Sequence, residues 1–137
     1  MRVYYAHAMC TYGTDIEQEE IKLIKAHLPN SDIINPEAHE GNPEKSLQGM
    51  KYCFRLIDGC DVLVFSKLLQ KITAGVGLEV NFALSKKIPV YLLQNAGLKR
   101  VEKPVRYLSR EDTMRHYKYW RSITGRTRIR EKVRQGL

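Results

Sequence analysis

Two apolar runs joined by a helical pattern constrain this chain most: Asp61-Val-Leu-Val-Phe65, then Gly77 to Lys87, then Pro89-Val-Tyr-Leu-Leu93. A strand with no polar alternation is buried on both faces, which is the signature of a parallel sheet covered by helices. The same rhythm occupies the first half of the chain. Arg2-Val-Tyr-Tyr-Ala6 is β-branched and aromatic and suits a first strand. Thr14-Asp-Ile-Glu17 has the pattern of a capping box, in which Thr14 caps the backbone and Glu17 reaches back. A helical periodicity then runs to about Leu28, where Pro29-Asn30 ends it. Asp32 to Asn35 reads as a second strand stopped by Pro36. Ser46 is placed to cap a second helix with Leu47, Met50, Phe54 and Ile57 on one face and Gly59 at its end. Strand alternating with helix predicts an α/β protein with a parallel sheet of four to five strands and helices on both faces.

Beyond Asn95 the pattern thins. Val101 to Leu108 is the candidate edge strand, and Ser109 opens a helix through about Ser122. With 137 residues the chain is sized for one domain, expected over 1–122 with a basic tail over 123–137. Charge divides the same way. Residues 1–97 carry 10 Lys/Arg and 11 Asp/Glu, whereas 98–137 carry 13 and 4. A neutral body with a basic end points to an anionic partner. Tyr107, Tyr117, Tyr119 and Trp120 lie among those basic residues, a mixture able to bind single-stranded nucleic acid by charge and stacking. A solvated helix face with an oligomer contact explains the same residues.

Cys10, Cys53 and Cys60 form no CxxC pair, and His7, His27, His39 and His116 are scattered, so neither a disulfide framework nor a metal site is expected. No apolar run has the roughly 18 residues of a membrane span. The first residues lack a charged-then-apolar leader pattern, which makes the cytoplasm the expected location.

Three stretches carry potential chemistry. The loop His7-Ala-Met-Cys-Thr-Tyr-Gly-Thr14 precedes a helix N-terminus, where free N–H groups attract anions. It is neither a GxGxxG nor a P-loop, and an ordinary turn capped by Thr14 accounts for it equally. Thr73-Ala-Gly-Val-Gly-Leu-Glu79 has glycines that admit a ligand close to the backbone, followed by a carboxylate at what reads as a helix start. There Glu79 faces either a cleft or solvent, and a first-turn glutamate held by the helix dipole is common. Tyr4 and Tyr5 project to opposite sheet faces, so at most one lines any given site.

Val3-Tyr-Tyr-Ala6 with its loop, Asn35-Pro36, Asp61-Val-Leu-Val, and Gly75-Val-Gly-Leu-Glu79 followed by Ala83 and Lys-Lys-Ile-Pro-Val together resemble the nucleoside 2-deoxyribosyltransferase superfamily. That superfamily includes the nucleoside 5′-monophosphate N-glycosidases, and the resemblance covers roughly residues 1–95. It implies a flavodoxin-like (Rossmann-like) sheet, a homodimer or higher oligomer, no cofactor, and cleavage of an N-glycosidic bond. Glu79 would be the nucleophile and Tyr4 the residue that orients it. Ala6, His7, Ala8, Met9, Thr11 and Tyr12 would hold sugar and phosphate, with Cys53, Thr73, Gly75 and Gly77 around the substrate. Cys53 stands where many members have an aspartate, and Thr73 where the transferases have an acid. A hydroxyl residue at the second position favours a hydrolase. The expectation is therefore an N-glycosidase acting on a nucleoside 5′-monophosphate. The other readings are a deoxyribosyltransferase, a catalytically silent nucleotide-binding module favoured by Cys53, and a nucleic-acid-associated protein working through residues 98–137.

Overall fold

The first strand is the spine of the sheet. In the computed structural model, which describes residues 1–125, β1 (Arg2–Ala6) lies between β2 (Asp32–Ile34) and β3 (Val62–Phe65). Next come β4 (Val90–Gln94) and the edge strand β5 (Gly97–Val101), giving the order β2-β1-β3-β4-β5. The first four pair in parallel, with Tyr4 opposite both Ile34 and Leu63. This is the flavodoxin-like order, whose crevice at the strands' carboxyl ends falls between β1 and β3.

Helices cover both faces, as the apolar strands require. On one face α1 (Asp15–His27) sets Ile24 against Val3, Tyr5, Val62 and Val64. On the other, α3 (Met50–Asp58) contributes Ile57, and α4 (Ala74–Ser85) contributes Val76, Val80 and Ala83. These meet Tyr4, Ala6, Leu63 and Phe65. Each such aliphatic side chain contributes about 1.5–3 kcal/mol on burial. α5 (Arg110–Thr124) lies across the carboxyl ends of the strands, where Tyr117 and Trp120 pack on Ala8, Cys10 and Leu68.

Five details differ from the sequence expectation. Thr14 is the first-helix cap residue, but its hydroxyl donates to Thr11 O at 2.6 Å, and Glu17 reaches back to Gly13 N at 3.1 Å. The single helix expected from Ser46 is two, α2 (Pro43–Gln48) and α3, and the cap is Asn42, which accepts from Glu44 N. Gly49 breaks them at φ 58, ψ −130, and this turns Leu47 outward to 87% exposure. α4 begins at Ala74 rather than Gly77, so Gly75 and Gly77 belong to its first turn and Glu79 to its second. The edge strand is Gly97–Val101, not Val101 to Leu108, and it runs antiparallel after a tight turn in which Asn95 and Ala96 have φ of 51 and 58. That left-handed pair matches the right-handed twist of a hairpin. Finally, α5 continues to Thr124 past the expected 122/123 boundary, and the rest of the basic tail lies outside the described residues.

The segment after β5 straps α4. Asn81 donates to Val105 O at 3.1 Å and accepts from Val105 N at 2.8 Å, and Leu108 N donates to Ile72 O at 2.9 Å. Tyr107 packs against Gly77, where an added Cβ would come within 2.3 Å of its ring. Close approach of the strap therefore accounts for this glycine.

Gly49 gives a direct test of the break between α2 and α3. Nothing lies within 4 Å of an added Cβ, so substitution acts through the backbone alone. Gly49→Ala is expected to lower the unfolding free energy by about 1–3 kcal/mol in urea denaturation. An unchanged midpoint would show that the glycine conformation is not required.

Candidate active site

Glu79 is 6% exposed although it carries a carboxylate. Three weak-acid side chains surround it. The Tyr4 hydroxyl, reaching out from β1, donates to Glu79 Oε2. Cys53 of α3 lies within hydrogen-bonding reach of both Tyr4 and Glu79, and Tyr12 of the loop after β1 faces Glu79 and Cys53. Lys45 of α2 is close enough for its charge to act on the carboxylate, and Glu40 lies near Tyr12.

Burial dominates the electrostatics. It pushes the Glu79 carboxyl up to about 7, against the opposing pull of the Tyr4 hydrogen bond, the Lys45 charge and the Cys53 thiol. The helix dipole gives little help in the second turn, because its effect falls off within the first. Burial, followed by the charge of Glu79, also raises Tyr4, Tyr12 and Cys53. All three keep their protons at neutral pH, and of these Tyr4 and Cys53 are within hydrogen-bonding reach of the carboxylate. A buried thiol of this kind is not a nucleophile.

Tyr4, Tyr12, Cys53 and Glu79 thus come together, and His7 adjoins this group through Tyr12, whose ring centroid lies 4.7 Å from its own. His7 is locked on the opposite sheet face. Its Nε2 lies 2.7 Å from Glu17 Oε2, its Nδ1 lies 3.1 Å from Tyr5 O, and its ring stacks on Tyr5 with centroids 3.7 Å apart. Burial works to raise the Glu17 carboxyl, but the hydrogen bond and charge of His7 hold it below its usual value. His7 therefore ties the loop to α1 and does not reach Glu79.

Ala6 ends β1 inside the core, and Met9 has a half-exposed side chain and donates its N–H to Tyr117 at 3.2 Å. Ala8 and Thr11 line a recess on the α1 side, where the Thr11 hydroxyl donates to Ala8 O at 2.8 Å. Thr73 is buried beside the Tyr117 hydroxyl. Gly75 has open space around it, and Gly77 is covered by Tyr107.

Lys45 and Glu40 escape a reading by motif because they sit in a polar stretch with no periodicity. Glu20 has a signal of its own. Positions 17, 20 and 24 share one helix face, so two carboxylates occupy the face that Ile24 buries. On α5, Arg110, Arg115, Lys118 and Arg121 are exposed, as are Tyr119 and the strap's Tyr107. Tyr117 and Trp120 are core residues and offer no stacking surface. Among the described residues no group of three His, Cys, Asp or Glu side chains is placed to hold a metal, and no helix is long and apolar enough to cross a membrane. Comparison of the chain with protein-family models, with curated proteins and with solved structures gave no match.

The raised carboxyl carries a stability consequence. Glu79 binds its proton more tightly folded than unfolded, so its contribution is fully present below about pH 4.5 and is lost as pH rises towards 7. Glu79→Gln keeps an acceptor for Tyr4 and removes the buried charge. The variant is expected to exceed the parent in stability at pH 8 by on the order of 3 kcal/mol, with the gap closing towards pH 5. Thermal melts across that range measure it; parallel curves would contradict the burial of an ionisable Glu79.

Proposed function

We propose that this chain is an N-glycosidase that cleaves the base–sugar bond of a nucleoside 5′-monophosphate, with Glu79 as nucleophile. The observation that carries the reading is the buried hydrogen bond from Tyr4 to Glu79. It joins the two residues that the resemblance to the deoxyribosyltransferase superfamily pairs for this chemistry. Tyr4 fixes Oε2, which leaves Oε1 to approach the anomeric carbon. In the proposed reaction the carboxylate attacks that carbon as the C–N bond breaks through an oxocarbenium-like state, and the base departs with the bonding pair and takes up a proton. Water then attacks the glycosyl ester, releasing the sugar phosphate and restoring Glu79. His7 is engaged by Glu17, and Thr73 offers no acidic proton, so solvent is the proton source for the leaving base. Self-association belongs to the same proposal, since Leu78 of α4 and Tyr107 of the strap leave apolar surface exposed beside the site.

A second reading has its own observation. Glu79, Tyr4 and Cys53 are all buried, and a sealed carboxylate paired to a phenol also suits a nucleotide-binding module without catalysis. Incubation with a panel of nucleosides and 5′-monophosphates, with and without a second free base, separates the two by chromatography. Release of free base from a monophosphate is expected, falling at least ~100-fold in Glu79→Gln. Because the attacking form is ionised, kcat/KM should climb with pH to a plateau above about 7. Full activity in Glu79→Gln would refute the nucleophile. A new nucleoside in the presence of the second base would identify a transferase, and silence across the panel would favour the binding module.

A further inference from the structure

On the α1 side of the sheet, away from Glu79, lies an open cleft. Two adjoining recesses of about 210 and 410 Å³ lie at the carboxyl ends of β3 and β4, and they share Glu20, Ser66, Lys67 and Leu69 among their lining residues. The smaller one lies at the β1/β3 crevice, where ligands of this sheet order bind. Its apolar wall is Ala8, Ile16, Leu68 and Trp120, whereas the larger is edged by the amides of Gln70, Gln94 and Asn95.

Glu20 is built into this place. Its Oε1 accepts from the Tyr5 hydroxyl at 2.5 Å and from Ser66 Oγ at 2.8 Å. Tyr5 is itself held by the stack on His7, so the carboxylate is fixed from below by a buried network. No ion pair to Glu20 forms among the described residues, and its side chain is half-exposed. Lys67, exposed on the rim of both recesses, supplies a charge of the opposite sign. The tip above them is strained: Leu69 and Gln70 have φ of 47 and 66, values that L side chains adopt only at some cost. The loop is held there by the Leu68–Lys71 hydrogen bonds of 2.9 and 3.0 Å and by His116 Nε2, 2.6 Å from Leu68 O.

One fixed carboxylate, one exposed ammonium and an apolar recess between two loops define a complement. We propose that this cleft binds a free α-amino acid with an apolar side chain. The ligand's ammonium group sits on Glu20, its carboxylate on Lys67, and its side chain in the recess beside Trp120. The volume of about 210 Å³ admits a leucine- or methionine-sized side chain. The site is separate from Glu79 and does not depend on the glycosidase reading.

Titration calorimetry on the full chain tests it, using L-leucine, L-methionine, isoamylamine (leucine without its carboxylate) and isocaproate (leucine without its ammonium). Both amino acids should bind, and each one-charge analogue should bind at least about tenfold more weakly. Glu20→Gln, which preserves the acceptor for Tyr5, and Lys67→Ala, at an exposed position, should each weaken leucine by a similar factor. Glu79→Gln should leave leucine binding unchanged while altering nucleotide chemistry, so the two proposals fail separately. Equal binding of isoamylamine and leucine, or full affinity in Lys67→Ala, overturns the zwitterion assignment. Absence of any heat with both amino acids at millimolar concentration overturns the site.

Discussion

A phenol buried on a central strand has to find an acceptor, and β1 buries two in succession. The pleat sends Tyr4 to one face and Tyr5 to the other. Each meets a glutamate from the helix covering that face: Glu79 of α4 takes the Tyr4 hydroxyl and Glu20 of α1 takes the Tyr5 hydroxyl. These bonds set how α4 and α1 slide along the sheet, because a shift of one residue would leave a buried hydroxyl without its partner. An unsatisfied buried group of that kind costs about 1–3 kcal/mol. Both sites therefore grow from one dipeptide, and the alternation of the strand assigns them to opposite sides.

The two glutamates then diverge through their surroundings. Glu79 is sealed among neutral donors, and burial moves its proton affinity towards neutrality. Glu20 shares an open cleft with an exposed lysine and polar amides. Identical side chains in the same kind of hydrogen bond thus have different chemical prospects, one suited to attack or proton exchange and the other to binding a cation.

Much of this organisation is legible in the chain. The continuous apolar runs at 62–65 and 90–93 specify buried parallel strands, and the adjacent tyrosines specify opposite faces. The spacing of Tyr4, Cys53 and Glu79 in the sequence shows no proximity; their meeting depends on crossovers bringing α3 and α4 over β1. The departures have local causes. Gly49 in a left-handed conformation divides a pattern whose periodicity alone reads as one helix. The pattern places the helix start at Gly77 because Gly75 reads as loop, whereas α4 already begins at Ala74 and Gly77 is small to admit Tyr107 from a distant segment. Asn95-Ala96-Gly97 contains the turn chemistry of a hairpin, yet the polar Lys99 and Arg100 hide the strand that follows.

Those two basic residues bear on how the protein behaves in a crowded solution. An open sheet has two unpaired borders, each a template on which another chain can add a strand. One border, β2, is three residues long, too short to recruit much. The other, β5, exposes Lys99 and Arg100 midway along its length, so any molecule aligning there would bring like charges together. The hairpin that closes the parallel sheet also keeps it from growing, and the cationic edge acts as a guard against aggregation.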